Sequence, residues 1–314
     1  MTVLEGVAAP PPKTEVRPRA VSGRDWWLRR IPLLPALIYV VVVTQIPFVV
    51  TLWYSFQSYF WDVPGGAHFN GISNYKTVFT NAAFRGSLLR SVFMTAIAVI
   101  VAMILGIALA VLLDRKFLGR SIVRTMIITP FLVMPAAAAL VWASPMLDPN
   151  FGLANYLLAP FGVNHVAWLS TYPLASVIVV MIWQWTPFMT LIVIAGLQSQ
   201  PPDTLEAAKV DGAGAWATFR ELTIPHLRPY IELGILLGSI YLVNAFDAVR
   251  LMTNGGPGTA TTNLPFYLYQ QVNYAYDVGG AAATGVVTVI LTIIVATFAL
   301  RMFARVFQFE EAAK

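Results

Sequence analysis

The chain has 314 residues, of which 58% are hydrophobic and only 11% charged, and this composition excludes an ordinary soluble domain. It contains no cysteine, which excludes disulfides and thiolate metal sites. Its net charge of +5 does not indicate a nucleic-acid partner, because positive charge on a membrane chain reflects topology and attraction to anionic lipid.

The N-terminal segment, residues 1–22, is rich in Pro, Val and Ala with scattered charge, and we predict a disordered cytoplasmic tail. Trp26 and Trp27 beside Arg29 and Arg30 are typical of an interfacial anchor. The apolar run that follows is too long for the core of a signal peptide, and no small-residue cleavage site comes after it. We therefore predict a retained membrane span.

Six apolar runs are long enough to cross about 30 Å of hydrocarbon, which takes roughly 20 helical residues. They lie near 31–57, 91–113, 125–147, 174–197, 230–252 and 281–303. These runs predict an all-α integral membrane protein with six transmembrane helices in a domain over 23–305. Outer segments are expected at 58–90, 148–173 and 253–280, and a short cytoplasmic tail at 306–314.

Basic residues set the expected orientation. With the N-terminus inside, only Lys76, Arg85, Arg90 and Arg250 of the 20 Lys and Arg residues lie outside. Cytoplasmic segments of membrane proteins carry an excess of Lys and Arg, so both termini are expected in the cytoplasm. The polar segment 198–229, between spans four and five, then also faces the cytoplasm.

Segment 198–229 has the signals of a compact helical knob between two spans. Asp203 and Glu206 have the spacing of a capping box, and Gly212 fits the left-handed position beyond a helix end. Ala207 and Ala208 would leave one side nearly without side chains, which would let a partner approach the backbone closely. The knob is therefore expected to be presented to another protein.

The order of residues in this segment resembles the EAA loop in the permease subunits of ABC importers. The matching residues are Glu206, Ala207, Ala208, Asp211, Gly212, Phe219, Pro225, Leu227 and Pro229. The last four follow the form common in MalF/MalG-like carbohydrate permeases. Ile224 stands where that family usually has leucine, a volume-conserving change. The alternative, an ordinary amphipathic loop helix, requires the spacing, the glycine and both prolines to coincide.

Two outer segments are similar to the same family. Phe69–Tyr75 resembles the F-x-G-L-x-N-Y segment before span two, and Asn254-Gly255-Gly256-Pro257 resembles an outer loop that contacts the binding protein. A flexible connection is the other interpretation of that loop. The resemblance covers about 30–305 and is closest to the first permease (SugA type) of actinobacterial trehalose importers.

This resemblance implies the type I ABC importer permease fold and half of a transmembrane pathway for a carbohydrate, such as trehalose, in the cell inner membrane. It implies four kinds of partner: a second homologous permease, two ATPase subunits that hold ATP and Mg, an extracytoplasmic sugar-binding lipoprotein, and membrane lipid. The coupling residues it implies are Glu206, Ala207, Ala208, Asp211, Gly212 and Pro225.

The chain itself lacks the motifs of an enzyme. No lysine follows a glycine, so a G-x-x-x-x-G-K-[ST] phosphate loop is absent and nucleotide must bind another polypeptide. G-x-S-x-G and H-E-x-x-H are also absent. His68, His165 and His226 are isolated in sequence, so neither a metal site nor a cofactor is predicted in this chain.

Polar and aromatic residues in span four suggest a substrate pathway. Trp183, Gln184 and Trp185 lie near the expected midplane, where an amide between aromatic rings suits the hydroxyls and C–H face of a sugar. Interhelical hydrogen bonding by Gln184 and lipid-facing tryptophans are the alternative. Pro130, Pro135 and Pro187 could kink their helices around a cavity, or could simply be tolerated.

Span five carries Tyr241, Asn244, Asp247 and Arg250 at intervals of three, which predicts one polar side along a continuous helix. We expect Tyr241, Asn244 and Asp247 in the pathway, although Asp247 could instead pair with Arg250. The main alternative function is an ion-coupled secondary transporter of a small polar solute. Such transporters use acidic or broken-helix sites near the midplane and often internal repeats, and Asp247 lies near the outer end.

Overall fold

The computed structural model describes residues 31–115, 117–163 and 165–312. The chain divides into two compact units, Met1–Val50 and Thr51–Lys314, and each is described by itself. The predicted tail at 1–22 and the anchor around Trp26 and Arg29 lie outside the described residues.

The described residues are mainly helical. The helices in chain order are α1 (Leu34–Ser55), α2 (Ser73–Thr80), α3 (Ala82–Asp114), α4 (Arg120–Leu132), α5 (Pro135–Val141), α6 (Leu153–Leu158), α7 (Trp168–Thr171), α8 (Pro173–Gln198), α9 (Pro202–Val210), α10 (Ala215–Thr218), α11 (Ile224–Leu242), α12 (Leu264–Asn273) and α13 (Val278–Ala312). Three π-helical turns lie at Trp142–Met146, Phe219–Thr223 and Val249–Thr253, and two 3-10 turns at Ile31–Leu33 and Ala159–Phe161. Strands β1 (Gln57–Ser58) and β2 (His68–Phe69) pair antiparallel, with Gln57 opposite Phe69.

In the first unit the described residues are 31–50, almost all of them apolar and mostly in α1. Two polar side chains in this part of α1 bond locally. The hydroxyl of Thr44 donates to the carbonyl of Val40 at 2.7 Å, and the amide of Gln45 donates to that hydroxyl at 3.2 Å. Local bonding lowers the cost of polar groups in an apolar helix.

Among the described residues, four helices can cross a membrane by length and composition: α1, α3, α8 and the Val278–Arg301 part of α13. A bent pair formed by α4 and Pro135–Met146 can count as a fifth. Helix α11 is polar in its first turns, where Arg228 and Glu232 form an ion pair at 2.9 Å. The predicted number of six spans, and the cytoplasmic placement of the termini, therefore stay predictions.

The third predicted span, near 125–147, is a bent pair of helices, and the kink that its prolines permitted is present. Helix α4 ends at Leu132, α5 begins at Pro135, and the two segments meet at 99°. Proline disfavours the helical conformation in the residue before it, and Met134 is extended, with ψ at 132°. The proline that suggested a kink therefore lies at a true break.

The prediction that Tyr241, Asn244, Asp247 and Arg250 share one side of a single helix in span five was wrong. Helix α11 ends at Leu242, and a turn at 243–246 separates it from the π-helical turn Val249–Thr253. The amide of Asn244 donates to the carbonyl of Ile240 at 2.8 Å, and such side-chain bonds compete with continued helix. The amide of Asn263 donates to the carbonyl of Ala245, within the break.

The core of the second unit lies where α3 packs along α8 and α11 packs against both. Buried Ala98 and Ala102 on α3 let the helices approach closely. The long, unbranched side chain of Met189 and the side chain of Leu227 are fully buried in this cluster. The three helices α3, α8 and α11 thus form a tightly packed frame, and the helix breaks at 133–134 and 243–246 lie beside it.

The segment before α3, predicted to lie outside, is anchored by Asn74 and Tyr75 of the family-like pattern Phe69–Tyr75. The amide of Asn74 donates to the carbonyls of Ser55 and Gln57 at 3.0 and 2.7 Å. The hydroxyls of Tyr75 and Ser55 are 2.6 Å apart. These bonds attach α2 to the end of α1 and to β1.

Candidate coupling, pathway and outer-loop sites

The segment predicted to contact an ATPase folds into α9, a glycine turn and the short α10. Pro202 takes the first helical position of α9, and no side chain caps the helix. The predicted capping box of Asp203 and Glu206 was therefore wrong, because Asp203 lies inside the first turn. Its negative charge there suits the positive end of the helix dipole.

The C-terminal end of α9 forms as predicted. Gly212 has φ +80°, its N–H donates to the carbonyl of Lys209 at 3.1 Å, and the N–H of Ala213 donates to that of Ala208 at 2.9 Å. These two bonds make a Schellman turn, which requires a residue in the left-handed conformation. The turn closes α9 firmly and directs the chain into α10.

The predicted coupling residues differ in exposure. Glu206, Ala207, Asp211, Gly212 and Pro225 are exposed, whereas Ala208 is buried. The two alanines therefore do not form one open side, because Ala208 packs against its own chain. Their coupling role stays a prediction.

Two exposed apolar side chains of this knob were not among the predicted coupling residues. Val210 is 87% exposed and Trp216 is 72% exposed. Exposed aromatic side chains are frequent at the centre of protein interfaces. A tryptophan shortly after the glycine turn was the signal that could have identified this surface.

Four of the five predicted pathway residues line one cavity of about 200 Å³ between the two helix breaks. The predicted four are Gln184, Tyr241, Asn244 and Asp247, and the other lining residues are Pro135, Met181, Trp185, Leu242, Ala245, Phe246 and Ala248. Trp183 does not line this cavity, and its ring instead packs against that of Trp142 with centroids 5.5 Å apart. A role for Trp183 in the pathway stays a prediction.

Trp185 is the tryptophan of span four that reaches this cavity. Its ring lies 5.4 Å from that of Tyr241 at an interplanar angle of 33°. Tyr241 is 61% exposed, so part of this aromatic pair is open to contact. An aromatic pair beside amides and a carboxylate can stack on a sugar ring and bond its hydroxyls.

Gln184 makes the interhelical bond that was left open as an alternative. Its amide nitrogen donates to the carbonyl of Val133 at 3.0 Å, in the break between α4 and α5. A carbonyl released by a helix break in an apolar region needs such a partner. Gln184 therefore both lines the cavity and stabilises the broken segment beside it.

Asp247 and Arg250 form no ion pair among the described residues. Arg250 instead donates to the side-chain oxygen of Asn254 at 2.7 Å and lies 5.4 Å from the ring centre of Tyr269. Asp247 lines the cavity. Helix α11 ends at Leu242, before both residues. Asp247 and Arg250 therefore do not lie on one polar side of this helix, as their spacing had predicted.

The outer loop at Asn254-Gly255-Gly256-Pro257 is held by hydrogen bonds. The carbonyl of Gly255 accepts from the N–H of Thr261 and from the hydroxyl of Thr262, both at 3.1 Å. Asn254 and Gly255 have positive φ, at 50° and 81°. A Cβ atom at Gly255 would lie 2.5 Å from the Phe266 ring. These bonds do not suit a freely flexible connection, and contact with a binding protein stays a prediction.

Residues outside the loop fix its position. Arg90 in the N-terminal part of α3 donates to the carbonyl of Thr262 at 2.9 Å, and the hydroxyl of Ser91 accepts from the N–H of Leu264 at 2.8 Å. These contacts could not be predicted from local sequence patterns, because the partners are about 170 residues apart in the chain. These two bonds attach the segment that follows the loop to α3.

A broken-helix cavity inside an apolar helical frame, with a separate exposed knob, defines an integral membrane transport subunit. Residues 102–308 match the family described as binding-protein-dependent transport system inner membrane component. The chain belongs to this family. Its members are transmembrane permease subunits of ABC importers and are not themselves ATPases.

Three relatives illustrate the similarity. A probable ABC transporter permease protein, y4oQ of Sinorhizobium fredii, is 38% identical over 83% of this chain and 84% of its own length. The trehalose/maltose transport system permease MalF of Thermococcus litoralis is 32% identical over 86% and 91%. The trehalose transport system permease SugA of Mycobacterium tuberculosis is 28% identical over 86% of each chain.

A solved structure shares the fold. The chain superposes on a bacterial ABC transporter for import of the acidic polysaccharide alginate with a TM-score of 0.75 and 22% identity, covering 90% of this chain and 96% of the other. A second structure of an alginate transporter, with the same TM-score, is in complex with a periplasmic protein that holds an alginate pentasaccharide.

Proposed function

We propose that this chain is the permease subunit of an ABC importer for a carbohydrate, a disaccharide such as trehalose, and that it resides in the cell inner membrane. The observation that carries the proposal is the cavity where the Trp185–Tyr241 ring pair meets Gln184, Asn244 and Asp247. Rings, amides and a carboxylate are the groups that recognise a sugar. Two relatives named for trehalose transport support this substrate.

The proposed assembly contains a second homologous permease, two ATPase subunits and an extracytoplasmic sugar-binding lipoprotein. The exposed surface of Glu206, Ala207, Val210, Asp211 and Trp216 supports an ATPase contact, because it combines charge with apolar area on a closed knob. ATP and Mg belong to the ATPase subunits. This chain forms half of the transmembrane pathway.

The proposed mechanism is alternating access. Closure of the ATPase dimer moves α9, and the motion reaches α8 and α11, which flank the segment 199–223. Both helices contribute to the cavity wall, so their movement can open the cavity outward. The binding protein delivers sugar to the open cavity, and hydrolysis returns the assembly to the inward-facing state.

Reconstitution with single omissions tests this function. The chain alone in liposomes is expected neither to hydrolyse ATP nor to accumulate sugar on a proton or sodium gradient. The second permease and the ATPase should give an assembled complex, and binding protein with trehalose should stimulate hydrolysis and uptake. Gradient-driven uptake by the chain alone would contradict the proposal and favour the ion-coupled transporter.

A further inference from the structure

The two ends of the loop that carries α9 meet at the hydroxyl of Ser199. This oxygen lies 2.8 Å from the hydroxyl of Tyr230, 3.0 Å from Nε2 of His226 and 2.8 Å from the carbonyl of Gly196. Ser199 follows directly after α8, whereas His226 and Tyr230 are on α11. One hydroxyl therefore joins residues about 30 positions apart in sequence.

The hydrogen-bond pattern has a consistent assignment. The Ser199 hydroxyl donates to the carbonyl of Gly196, in the last turn of α8, and can then accept from the hydroxyl of Tyr230. Nε2 of His226 lies within reach of both the Ser199 hydroxyl and the Gly196 carbonyl, at 3.0 and 3.2 Å. The carbonyls of a final helical turn lack partners within the helix, so this cluster also caps α8.

Close backbone packing brings the two helices together at this cluster. A Cβ atom at Gly196 would lie 2.6 Å from Cδ2 of Leu227 and 2.8 Å from the ring of Tyr230. Leu227 is fully buried. The polar cluster therefore lies on a tightly packed α8–α11 contact, and its geometry is set by that contact as well as by its own bonds.

We propose that Ser199, with His226 and Tyr230, is a positioning cluster that makes α8 and α11 move together when α9 is displaced. This inference rests on the proposed coupling role of α9. A loop whose ends are free can absorb a displacement by changing its own backbone angles, as hinges do. Tying the ends at Ser199 removes that freedom, so the displacement passes to both helices that line the substrate cavity.

The test uses the complete reconstituted importer with trehalose and its binding protein. Ser199→Ala removes the shared hydroxyl, Tyr230→Phe removes one bond while keeping the ring against Gly196, and Ser199→Thr retains the hydroxyl. Thr80→Ala is the matched control, because this exposed outer hydroxyl bonds only to carbonyls of its own helix. The measurements are ATPase content of the purified complex, the hydrolysis rate, and sugar imported per ATP hydrolysed.

Ser199→Ala is expected to keep the ATPase bound and hydrolysis within about twofold, while sugar imported per ATP falls at least about fivefold, the effect of losing one ordinary hydrogen bond. Tyr230→Phe should fall in the same direction, and Ser199→Thr should restore the ratio. An unchanged ratio in Ser199→Ala, an equal loss of hydrolysis and uptake, or no rescue by threonine would each overturn the positioning role. Failure of the wild-type complex to import would instead refute the proposed function, and this role with it.

Discussion

The amide of Gln184 on α8 donates a hydrogen bond to the main-chain carbonyl of Val133, 3.0 Å away in the break between α4 and α5. Gln184 also lines the cavity that contains Tyr241 and Asn244. One side chain thus holds a broken helix in place and borders the proposed substrate site. From the sequence alone, interhelical bonding and substrate contact were alternative roles for Gln184, whereas its position in the structure is compatible with both.

Gln184→Leu is expected to reduce both stability and uptake. The leucine leaves the carbonyl of Val133 without this part-buried hydrogen bond, which is worth about 0.5–1.5 kcal/mol. Asn244→Leu should reduce uptake by about tenfold, the effect of one lost bond to substrate, with a smaller loss of stability, because the Asn244 amide bonds only to the nearby carbonyl of Ile240 at an exposed site.

The measurements are thermal unfolding in detergent and trehalose uptake by the reconstituted importer. Met181→Leu is the control, since this cavity residue changes little in volume and carries no hydrogen-bonding amide. Normal uptake in both the Gln184 and Asn244 variants would refute the assignment of this cavity to the pathway.

Gly212→Trp is expected to abolish uptake while the protein still reaches the membrane. No atom lies within 4 Å of a Cβ atom built at Gly212, so the added ring would project from the knob rather than into the chain. Glu206→Arg should act similarly by reversing the charge of an exposed contact. Co-purification of the ATPase with each variant, compared with wild type, gives the measurement.

Backbone strain needs its own control in that experiment. Gly119 has φ +82° and is equally open, so Gly119→Trp carries the same strain, about 1–2 kcal/mol, at a different loop. It should retain ATPase binding and uptake. Normal ATPase binding and stimulated hydrolysis in both the Gly212 and Glu206 variants would mean that this knob does not couple the subunits.

The sequence predicted some of these features because their signals are local. A glycine just beyond a helix end and a proline just after a break act within a few residues, so the turn at Gly212 and the kink at Pro135 were predictable. The interruption after Leu242 was not, because the partner of the Ala245 carbonyl within it is Asn263, which lies beyond the loop at 254–257. The spacing of Tyr241, Asn244 and Asp247 therefore fitted a continuous helix equally well.

The cavity shows the same limit. Trp183 and Trp185 are two residues apart, and nothing in the local sequence shows which of them lines the cavity. The orientation of α8 about its own axis decides which ring reaches the cavity. Trp185 packs against Tyr241, whereas Trp183 packs against Trp142. Such a choice depends on long-range packing, and a single sequence contains no direct record of it.

Gly255→Ala is expected to weaken stimulation by the binding protein and to lower stability. The new methyl group would lie 2.5 Å from the Phe266 ring and 2.6 Å from the Thr262 hydroxyl, at a backbone φ of +81°. Overpacking of this kind typically costs about 1–3 kcal/mol. The measurements are thermal unfolding and the concentration of binding protein that gives half-maximal hydrolysis.

Gly258→Ala is the matched control, because its φ of +62° imposes similar backbone strain but no atom lies within 4 Å of the new Cβ. It should remain closer to wild type in both measurements. Equal effects of the two substitutions would mean that positive φ alone, and not the packing of Gly255 against Phe266, fixes the loop.

The last prediction concerns the carboxyl of Asp277, which precedes α13 on the predicted outer side. Burial raises its pKa above the ordinary value, and the hydrogen bond from the N–H of Gly280 opposes this only in part. A raised pKa in the folded state means that folding favours the protonated form. Its stabilising contribution is therefore present below the ordinary carboxyl pKa and is lost as pH rises through the raised value.

Asp277→Asn provides the comparison, because its side-chain oxygen can still accept the bond from Gly280 while no charge is buried. The variant is expected to gain in unfolding temperature relative to wild type at pH 7, and this difference should shrink as the pH falls through the raised pKa toward the ordinary carboxyl range. Thermal unfolding of both proteins across that range gives the measurement. A difference that is constant with pH, or that widens in acid, would show that burial does not raise the pKa of the Asp277 carboxyl.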